Sequence, residues 1–248
     1  MTLRFTARFA RPALLLALVG LLASGFALAA CGGDGEAADE TNEQTTTELP
    51  GPSPAGTPRE AVEDFLRAVE ANDRRLAWAL LSTETKTSFE LDEQHFAEVL
   101  LPALRSELKP GGQPIFSERF GTERALIVLE GVAKGAPFAA ALRAEDGGWR
   151  IELFYPEFNP TRPAPGERVK AGVREPLTLD IVRRQDKELE VKAWLDGKPL
   201  PVTVETKGNF LVTYEATYTV KPGKHTVIAY ATTEEGLSGA AAWEFSAR

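Results

Sequence analysis

Hydrophobic residues follow two different spacings along this chain. Between residues 58 and 108 they recur every three or four positions, as they do on the buried face of an α-helix. From Gln113 onward they alternate with polar residues, which is the spacing of a β-strand with one buried face. We therefore predict helices followed by antiparallel strands, an α+β layer, over residues 58–158. The clearest helical set is Val62, Phe65, Leu66 and Val69.

The first helix carries a start signal at its N-terminus. Thr57 is followed by Pro58 and then by Glu60, three residues after the threonine. A threonine cap, a proline in the first turn and a glutamate at the third helical position are typical of a capping box. We predict that this helix begins after Thr57 and ends near Asn72.

Two further helices are predicted before the strands. The second carries Leu76 and Leu80 on its buried side, and the polar stretch Ser82–Ser88 separates it from a third helix over residues 92–108. Pro102 lies inside the third helix and has no backbone N–H to donate. The third helix should therefore bend or divide there.

The alternating region predicts four strands joined by glycine-containing turns. In the last of them, Trp149 and Ile151 fall on one face and Arg150 and Glu152 on the other. The sheet is therefore predicted to bury one face, against the helices. The predicted strands are Ile115–Phe120, Arg124–Val132, Phe138–Glu145 and Trp149–Tyr155.

A second folded block is predicted over residues 160–248. The segment from Phe158 to Gly166 contains three prolines, breaks regular structure and marks the boundary. After it, short alternating runs recur about every ten residues, as they do in β-sandwiches. Asp196-Gly197 is a strong signal for a two-residue hairpin turn. No long helical pattern occurs in this block, so we predict an all-β sandwich.

The first thirty residues differ in kind from the rest. Arg4, Arg8 and Arg11 precede an uncharged run of mostly Leu and Ala that extends from Pro12 to Ala30. This order is typical of the basic and apolar regions of a signal peptide. The run of nineteen residues is also long enough for a short membrane-spanning helix, so its length alone does not decide between the two.

The end of the leader favours a signal peptide of a particular kind. Leu28-Ala29-Ala30-Cys31 resembles the lipobox of bacterial lipoproteins. That resemblance implies cleavage before Cys31 and a diacylglyceryl group on its thiol, which anchors the protein to the extracytoplasmic face of the cell membrane. A catalytic or structural thiol is the alternative, but a catalytic thiol needs a rigidly held base, which the polar residues after Cys31 do not supply.

Residues 31–57 are predicted to be a linker. Six acidic residues and no basic residue occur between positions 32 and 57, together with several prolines and glycines. Such a segment buries too little apolar surface to fold, so we expect it to be disordered. Its reach is roughly 25–30 Å for a flexible chain of this length. It would tether the folded blocks to the membrane.

Four stretches of the first block carry a family resemblance to the nuclear transport factor 2-like superfamily, in its secreted or lipoprotein branch. They are Ala61–Leu66, Asn72-Asp73, Ala79–Ser82 and Glu145–Ile151. The resemblance implies a cone in which N-terminal helices cover a four-stranded antiparallel sheet. That cone hosts steroid isomerases, dehydratases, ligand binders and structural domains, so it implies a fold rather than one activity.

An enzyme on such a cone would need a carboxylate base in apolar surroundings. Alternation places Glu118 and Glu130 on strand faces that they share with apolar residues, so either acid is a candidate base. The aromatic residues of this block suit either a ligand pocket or an ordinary core. The candidate pocket comprises Phe65, Trp78, Phe96, Glu118, Glu130 and Trp149.

The second block carries a different resemblance. Val191–Pro199, Tyr218–Ala231 and Ala242–Phe245 resemble the bacterial immunoglobulin-like domains of exported proteins. The resemblance implies a spacer or adhesive module. Since the chain has a single cysteine, this sandwich has no core disulfide and depends on packing alone.

Charge and motifs narrow the functional classes. The net charge is -8 and the folded blocks lack a basic cluster for phosphates, so no nucleic-acid partner is predicted. The small group Arg183, Arg184 and Lys187 suits anionic lipid, wall polymer or a solvated turn. No dinucleotide or phosphate-binding glycine motif occurs, so no cofactor is predicted. No metal is predicted either, because His95 has no second His or Cys at a ligating spacing.

These observations favour a non-catalytic envelope lipoprotein that acts as a binding or scaffold module for an envelope protein or a cell-wall partner. The alternative is a small-molecule-binding protein or an isomerase or dehydratase that uses the cone pocket, with Glu118 or Glu130 as the base.

Overall fold

The computed structural model describes residues 56–88, 90–153, 156–182, 188–208, 210–234 and 236–248. Within it, Pro52–Arg248 forms one compact unit. Several sequence predictions fall outside the described residues. They concern the signal peptide, most of the linker, the cleavage residues Leu28, Ala29 and Ala30, the lipidation site Cys31, and the basic group Arg183, Arg184 and Lys187.

Short helices occupy the first part of the described chain. The predicted cap is confirmed, because Glu60 N donates a hydrogen bond to Thr57 Oγ1 at 3.2 Å and Pro58 is the first helical residue. Asn72 ends this helix in a left-handed backbone conformation, with φ 57°. The helices are α1 (Pro58–Ala71), α2 (Arg74–Ala79), α3 (Thr83–Ser88), α4 (Glu93–His95) and α5 (Leu101–Glu107), with a π-helical turn over Phe96–Leu100.

The predicted division of the third helix at Pro102 is confirmed. The π-helical turn comes just before this proline and separates α4 from α5, because Pro102 has no N–H to continue the regular hydrogen-bond pattern. The stretch Ser82–Ser88, predicted only as a polar separator, itself contains α3. There Thr85 N donates to the Ser82 hydroxyl at 3.0 Å, which caps this short helix.

Strands dominate the rest of the unit and form three sheets. The meander sheet has the order β1-β2-β3-β4, the outer sheet β10-β11-β7-β5 and the middle sheet β6-β13-β12-β8-β9. The strands are β1 (Gln113–Phe120), β2 (Arg124–Ala133), β3 (Ala136–Glu145), β4 (Gly148–Glu152), β5 (Glu157–Arg162), β6 (Arg168–Val169), β7 (Glu175–Val182), β8 (Leu189–Leu195), β9 (Lys198–Leu200), β10 (Thr203–Lys207), β11 (Leu211–Tyr218), β12 (Gly223–Thr233) and β13 (Ser238–Ala247).

Two local predictions in the second block have opposite outcomes. Asp196 and Gly197 form the predicted hairpin turn between β8 and β9, both with positive φ, at 51° and 74°. The prediction that Phe158–Gly166 lacks regular structure is wrong, since β5 covers Glu157–Arg162. Pro160 is tolerated in this strand because β5 lies at the edge of the outer sheet.

Three apolar clusters hold four layers together. The first cluster lies between the helices and the meander sheet, and the second lies between the middle and outer sheets, which form a β-sandwich. The third lies between the opposite face of the meander sheet and the middle sheet. The layer order is therefore helices, meander sheet, middle sheet and outer sheet. The buried residues of the third cluster are Leu126, Val128, Ala141, Trp194, Ile228 and Tyr230.

The third cluster corrects the prediction that the meander sheet buries one face only. Leu126 and Val128 on β2 point away from the helices, yet they are fully buried against the middle sheet. The rings of Phe116 and Phe120 on β1 lie 5.1 Å and 6.3 Å from that of Trp194 on β8. The meander sheet thus packs on both sides, as the middle sheet does.

Candidate functional site

Two small concavities are the best-formed ones on the described surface. One, of about 230 Å³, lies between α1 and the loop after α5 and includes Glu63, Arg67 and Gly112. The other, of about 200 Å³, lies between the meander and middle sheets and includes Glu130 and Lys224. Both are smaller than the roughly 300–1,000 Å³ of typical small-molecule pockets.

The aromatic members of the candidate pocket come together, but they fill a core. Phe65, Phe96 and Trp149 are buried in the first cluster, under the helices. Trp78 is partly buried against them, and its ring centroid lies 5.7 Å from that of Phe96. The helix side of the meander sheet is therefore closely packed at the position where a cone pocket would open.

The two candidate bases lie on the other side of the meander sheet. Glu118 is half-buried on β1 and pairs across the sheet with Leu126, whose side chain belongs to the third cluster. Glu130 is exposed, and its Oε1 lies 3.3 Å from Lys224 Nζ of the middle sheet. Lys224 Nζ is also 2.6 Å from Glu244 Oε1. Neither acid shares a cavity with Phe65, Phe96 or Trp149.

A buried polar group, which we call the seam cluster, lies between the meander and middle sheets. It consists of Glu152 on β4, Arg143 on β3, Arg124 on β2, Gly236 two residues before β13, and Ser238, the first residue of β13. The Ser238 hydroxyl donates a hydrogen bond to Glu152 Oε2. Arg143 Nε lies 3.2 Å from Glu152 Oε1, close enough for ion pairing. The cluster therefore joins two layers of the fold through charged side chains.

Both guanidinium groups of the seam cluster converge on one backbone carbonyl. Arg124 Nη2 donates to Gly236 O at 3.2 Å, and Arg143 Nη2 donates to the same oxygen. Position 236 favours glycine because its φ of +87° is a conformation that other residues rarely adopt. From the helix layer, Glu84 Oε1 accepts from Arg143 Nη1 at 3.4 Å.

Glu152 is a buried carboxyl group in the described chain, and its pKa lies far from the ordinary value. Burial raises the pKa of its carboxyl to about 7, and the Ser238 hydrogen bond and the charges of Arg143 and Arg124 only partly oppose this. Its side chain is 1% exposed. Glu152 Oε1 and Arg143 Nε are near each other but lack hydrogen-bond geometry, so desolvation outweighs the ion pair. Glu152 therefore exchanges a proton near neutral pH.

Sequence patterning missed this residue because it treated the second face of β4 as polar. Glu152 and Arg150 do share that face, but Glu152 lies opposite Ala141 of the third cluster. The start of β13 covers it, and no local pattern within β4 encodes that contact.

We expect the stability of the protein to depend on pH through Glu152. The pKa in the folded state, about 7, lies above the ordinary value of 4.5, so the folded state holds the proton more tightly. The resulting stabilisation is fully present below about pH 4.5 and is lost as the pH rises through about 7. The stability of wild type relative to Glu152→Gln should therefore be on the order of 2 kcal/mol greater at pH 5 than at pH 8 in urea unfolding.

Glu63→Gln is the control for this measurement, because Glu63 is an exposed carboxylate on α1 paired with Arg59. Its effect should be small at both pH values. A wild-type advantage over Glu152→Gln that stayed constant or grew from pH 5 to pH 8 would contradict the prediction and show that the Arg143 ion pair dominates.

His225 has a structural role in the turn region of the sandwich. Its Nδ1 lies 2.7 Å from Asp196 Oδ2, and its Nε2 lies 2.8 Å from the Lys221 carbonyl oxygen. Asp196 also accepts from Thr226 N at 2.9 Å, which fixes the turn onto β12. Both ring nitrogens are thus engaged within the protein.

Two other kinds of site are absent from the described residues. In the ranges that the structure describes, no group of three His, Cys, Asp or Glu side chains is arranged to hold a metal ion. Over the same ranges, no helix combines the length and the apolar character needed to cross a bilayer.

Comparisons with known proteins give no family for this chain. No protein-family model matches it, and no curated protein matches it. An engineered protein from a structural genomics consortium is 23% identical over 38% of this chain, which spans 19% of that protein, with a TM-score of 0.27. The BIgI domain of the beta protein from S. agalactiae, solved bound to CEACAM1, is 12% identical over 37% of this chain and 97% of that domain, also with a TM-score of 0.27. Structural similarity at a TM-score of 0.27 does not indicate a shared fold or function.

Proposed function

We propose that this protein is a bacterial envelope lipoprotein that is anchored to the membrane through Cys31 and acts without catalysis as a binding or scaffold module. In this proposal the helices and meander sheet are a nuclear transport factor 2-like layer, and the middle and outer sheets are an immunoglobulin-like sandwich. The partner is an envelope protein or a cell-wall component.

The observation that carries the proposal is the position of the candidate catalytic groups. The aromatic side chains that would line a cone pocket pack against one another under the helices. Glu118 and Glu130 lie on the opposite face of the meander sheet, and Glu130 is paired with Lys224 at the surface. An isomerase base has to reach its substrate directly. This arrangement favours recognition through the outer surface over chemistry in an interior pocket.

The four-layer packing supports a scaffold role in a second way. The third apolar cluster and the seam cluster join the helix-bearing layer to the sandwich within one compact unit. Layers packed through shared apolar and charged contacts keep their surfaces in a defined geometry, which suits a module that positions a partner.

The lipid anchor is tested by replacing Cys31 with alanine in the full chain, expressed with its leader in a bacterial host. Wild type should be recovered in the membrane fraction, with an intact mass that begins at Cys31 and includes acyl chains. Cys31→Ala should accumulate with residues 1–30 uncleaved, because the acceptor thiol is missing. Gly35→Ala, four residues further on, should be processed like wild type. A wild-type product that begins elsewhere or lacks acyl chains would remove the anchor from the proposal.

The binding role is tested separately, by cross-linking in cells that carry the native protein and then purifying it. Recovery of one partner in stoichiometric amount from wild type, and its loss with Cys31→Ala, supports a membrane-tethered adapter. Recovery of no partner, together with a bound small molecule detected by mass spectrometry, contradicts it and favours the pocket-based alternative.

A further inference from the structure

The outer sheet ends in a small apolar surface, which we call the apolar tip. It consists of Val182, Phe210 and Leu211. Leu211 begins β11 and pairs directly with Val182, the last residue of β7. Phe210 is 64% exposed and Leu211 is 44% exposed, while Val182 is half-buried. Two adjacent residues with this exposure differ from the single exposed hydrophobic residues that are normal on protein surfaces.

The rest of that sheet face is polar. Along the same face, away from the tip, lie Thr213 and Glu215 on β11 and Thr178 and Asp180 on β7. Thr213 Oγ1 donates a hydrogen bond to Asp180 Oδ1 at 2.7 Å, so these groups bond to one another across the strands. On this face the apolar residues lie at one end, while the exposed Val204 of β10 pairs with Tyr214, whose side chain lies on the other face. This placement suits contact through the end of the sheet.

The described charges beside the tip form an ion pair, and the adjoining residues 183–187, which include Arg183, Arg184 and Lys187, lie outside the described residues. Lys207 ends β10, next to the tip, and its Nζ lies 3.0 Å from Glu188 Oε1. Contact through the exposed apolar side chains depends on hydrophobic burial. The occupant of the tip should be an apolar medium, and on zwitterionic lipid its affinity should depend little on salt.

The size of the tip favours a bilayer over a folded protein. A stable protein interface buries about 1,200–2,000 Å² in total, whereas a single phenylalanine buries only about 150–250 Å². A membrane interface has no such minimum area, and the Trp, Phe and Leu side chains of membrane-surface proteins enter the boundary between headgroups and acyl chains. One exposed aromatic and one aliphatic side chain at a hairpin end fit that environment.

The predicted tether strengthens a weak contact of this kind. The following step rests on the proposed function, in which Cys31 carries lipid and residues 32–57 link it to the folded unit. A linker of roughly 25–30 Å reach holds the unit near the bilayer at an effective concentration in the mM range. At such a concentration, burial of two or three apolar side chains is enough to favour one orientation of the folded unit relative to the bilayer.

We propose that the apolar tip inserts into the interfacial region of the bilayer that holds the lipid anchor, and so orients the folded unit on the membrane.

The test uses the full lipidated protein in phosphatidylcholine vesicles. Since Cys31 is the only cysteine and its thiol is acylated in the mature protein, Phe210→Cys supplies a unique thiol for an environment-sensitive fluorophore. Ile115→Cys is the matched control, because Ile115 is an apolar residue of comparable exposure to Leu211, at 41%, on a different sheet. We expect a several-fold rise in emission with a blue shift at position 210 on reconstitution, and little change at position 115.

Each outcome bears on the proposal. Adding Leu211→Ser to the labelled Phe210→Cys chain should reduce the rise several-fold, and 0.5 M salt should leave it unchanged. Absence of a rise at position 210, in a sample whose intact mass and co-flotation with vesicles establish lipidation, overturns tip insertion but leaves the anchor intact. A rise that disappears when the protein is diluted in excess lipid overturns it in favour of contact between copies. Absence of acyl chains in the intact mass contradicts the proposed function instead.

Discussion

Trp194→Ala is expected to lower the free energy of unfolding by about 3–5 kcal/mol, the range found when a large buried aromatic side chain is truncated. Trp194 lies on β8 and is 3% exposed. Its ring contacts those of Phe116 and Phe120 on β1, so the substitution leaves a cavity between the meander and middle sheets. Because this cluster joins the layers, the loss should appear in one shared unfolding transition. Urea unfolding followed by circular dichroism and by fluorescence measures both the size of the loss and the coincidence of the curves.

Phe210→Ala is the matched control for this prediction, since Phe210 is a large aromatic residue that is mostly exposed. Its effect should stay within about 0.5 kcal/mol. If Trp194→Ala cost no more than the control, or if wild type itself unfolded in two separate transitions, the third cluster would not couple the layers.

Arg143→Met is expected to cost about 1–2 kcal/mol more at pH 8 than at pH 5. Without the guanidinium, the buried carboxyl of Glu152 takes up a proton, which costs about 1.4 kcal/mol per pH unit above its pKa of about 7. Arg143 lies 3.2 Å from Glu152 and also donates to Gly236 O and Glu84. At pH 5 the carboxyl is protonated, since burial raises its pKa to about 7, and the cost should be clearly smaller. Urea unfolding at the two pH values measures this difference.

Arg59→Met is the control for Arg143→Met. Arg59 also pairs with a glutamate, Glu63, but both side chains are largely exposed on α1. Exposed pairs of this kind contribute about 0–1 kcal/mol, so this variant should change little at either pH. A cost for Arg143→Met that is equal at pH 5 and pH 8 would show that the lost contacts to Gly236 and Glu84, rather than the charge of Glu152, determine it.

Local features of this fold could be read from the sequence. The cap at Thr57, the end of α1 near Asn72, the interruption at Pro102 and the turn at Asp196-Gly197 each depend on residues within a few positions of one another. The order of helices and antiparallel strands follows from hydrophobic spacing, which is also a local property.

The stacking of the layers was not predicted, although two segments carried a signal for it. Residues 125–129 of β2 and 227–231 of β12 are unbroken apolar runs, and every residue in them is buried. Such runs indicate strands covered on both faces, whereas alternating strands are covered on one. Alternation in the neighbouring strands predicts one buried face for β2 as well. The length of the apolar run was the better guide.

The candidate site was the least predictable part of the molecule. Alternation places Glu118 and Glu130 on strand faces that they share with apolar residues. It does not show whether those faces pack against the helices or against the middle sheet. Glu152 depends on a contact between β4 and the start of β13, more than eighty residues away in sequence. Long-range contacts of this kind follow from the packing of sheets, which the pattern within a single strand does not encode.

Because both faces of the middle sheet are buried, they determine the smallest fragment of this protein that can be expected to stay folded in isolation. A fragment cut near residue 159 and running to the C-terminus would leave the side chains of Trp194, Ile228 and Tyr230 in water. The complementary fragment would do the same to Leu126 and Val128. Bare apolar sheet faces promote aggregation. Expression, crystallisation and binding assays therefore call for a polypeptide that keeps Pro52–Arg248 uncut.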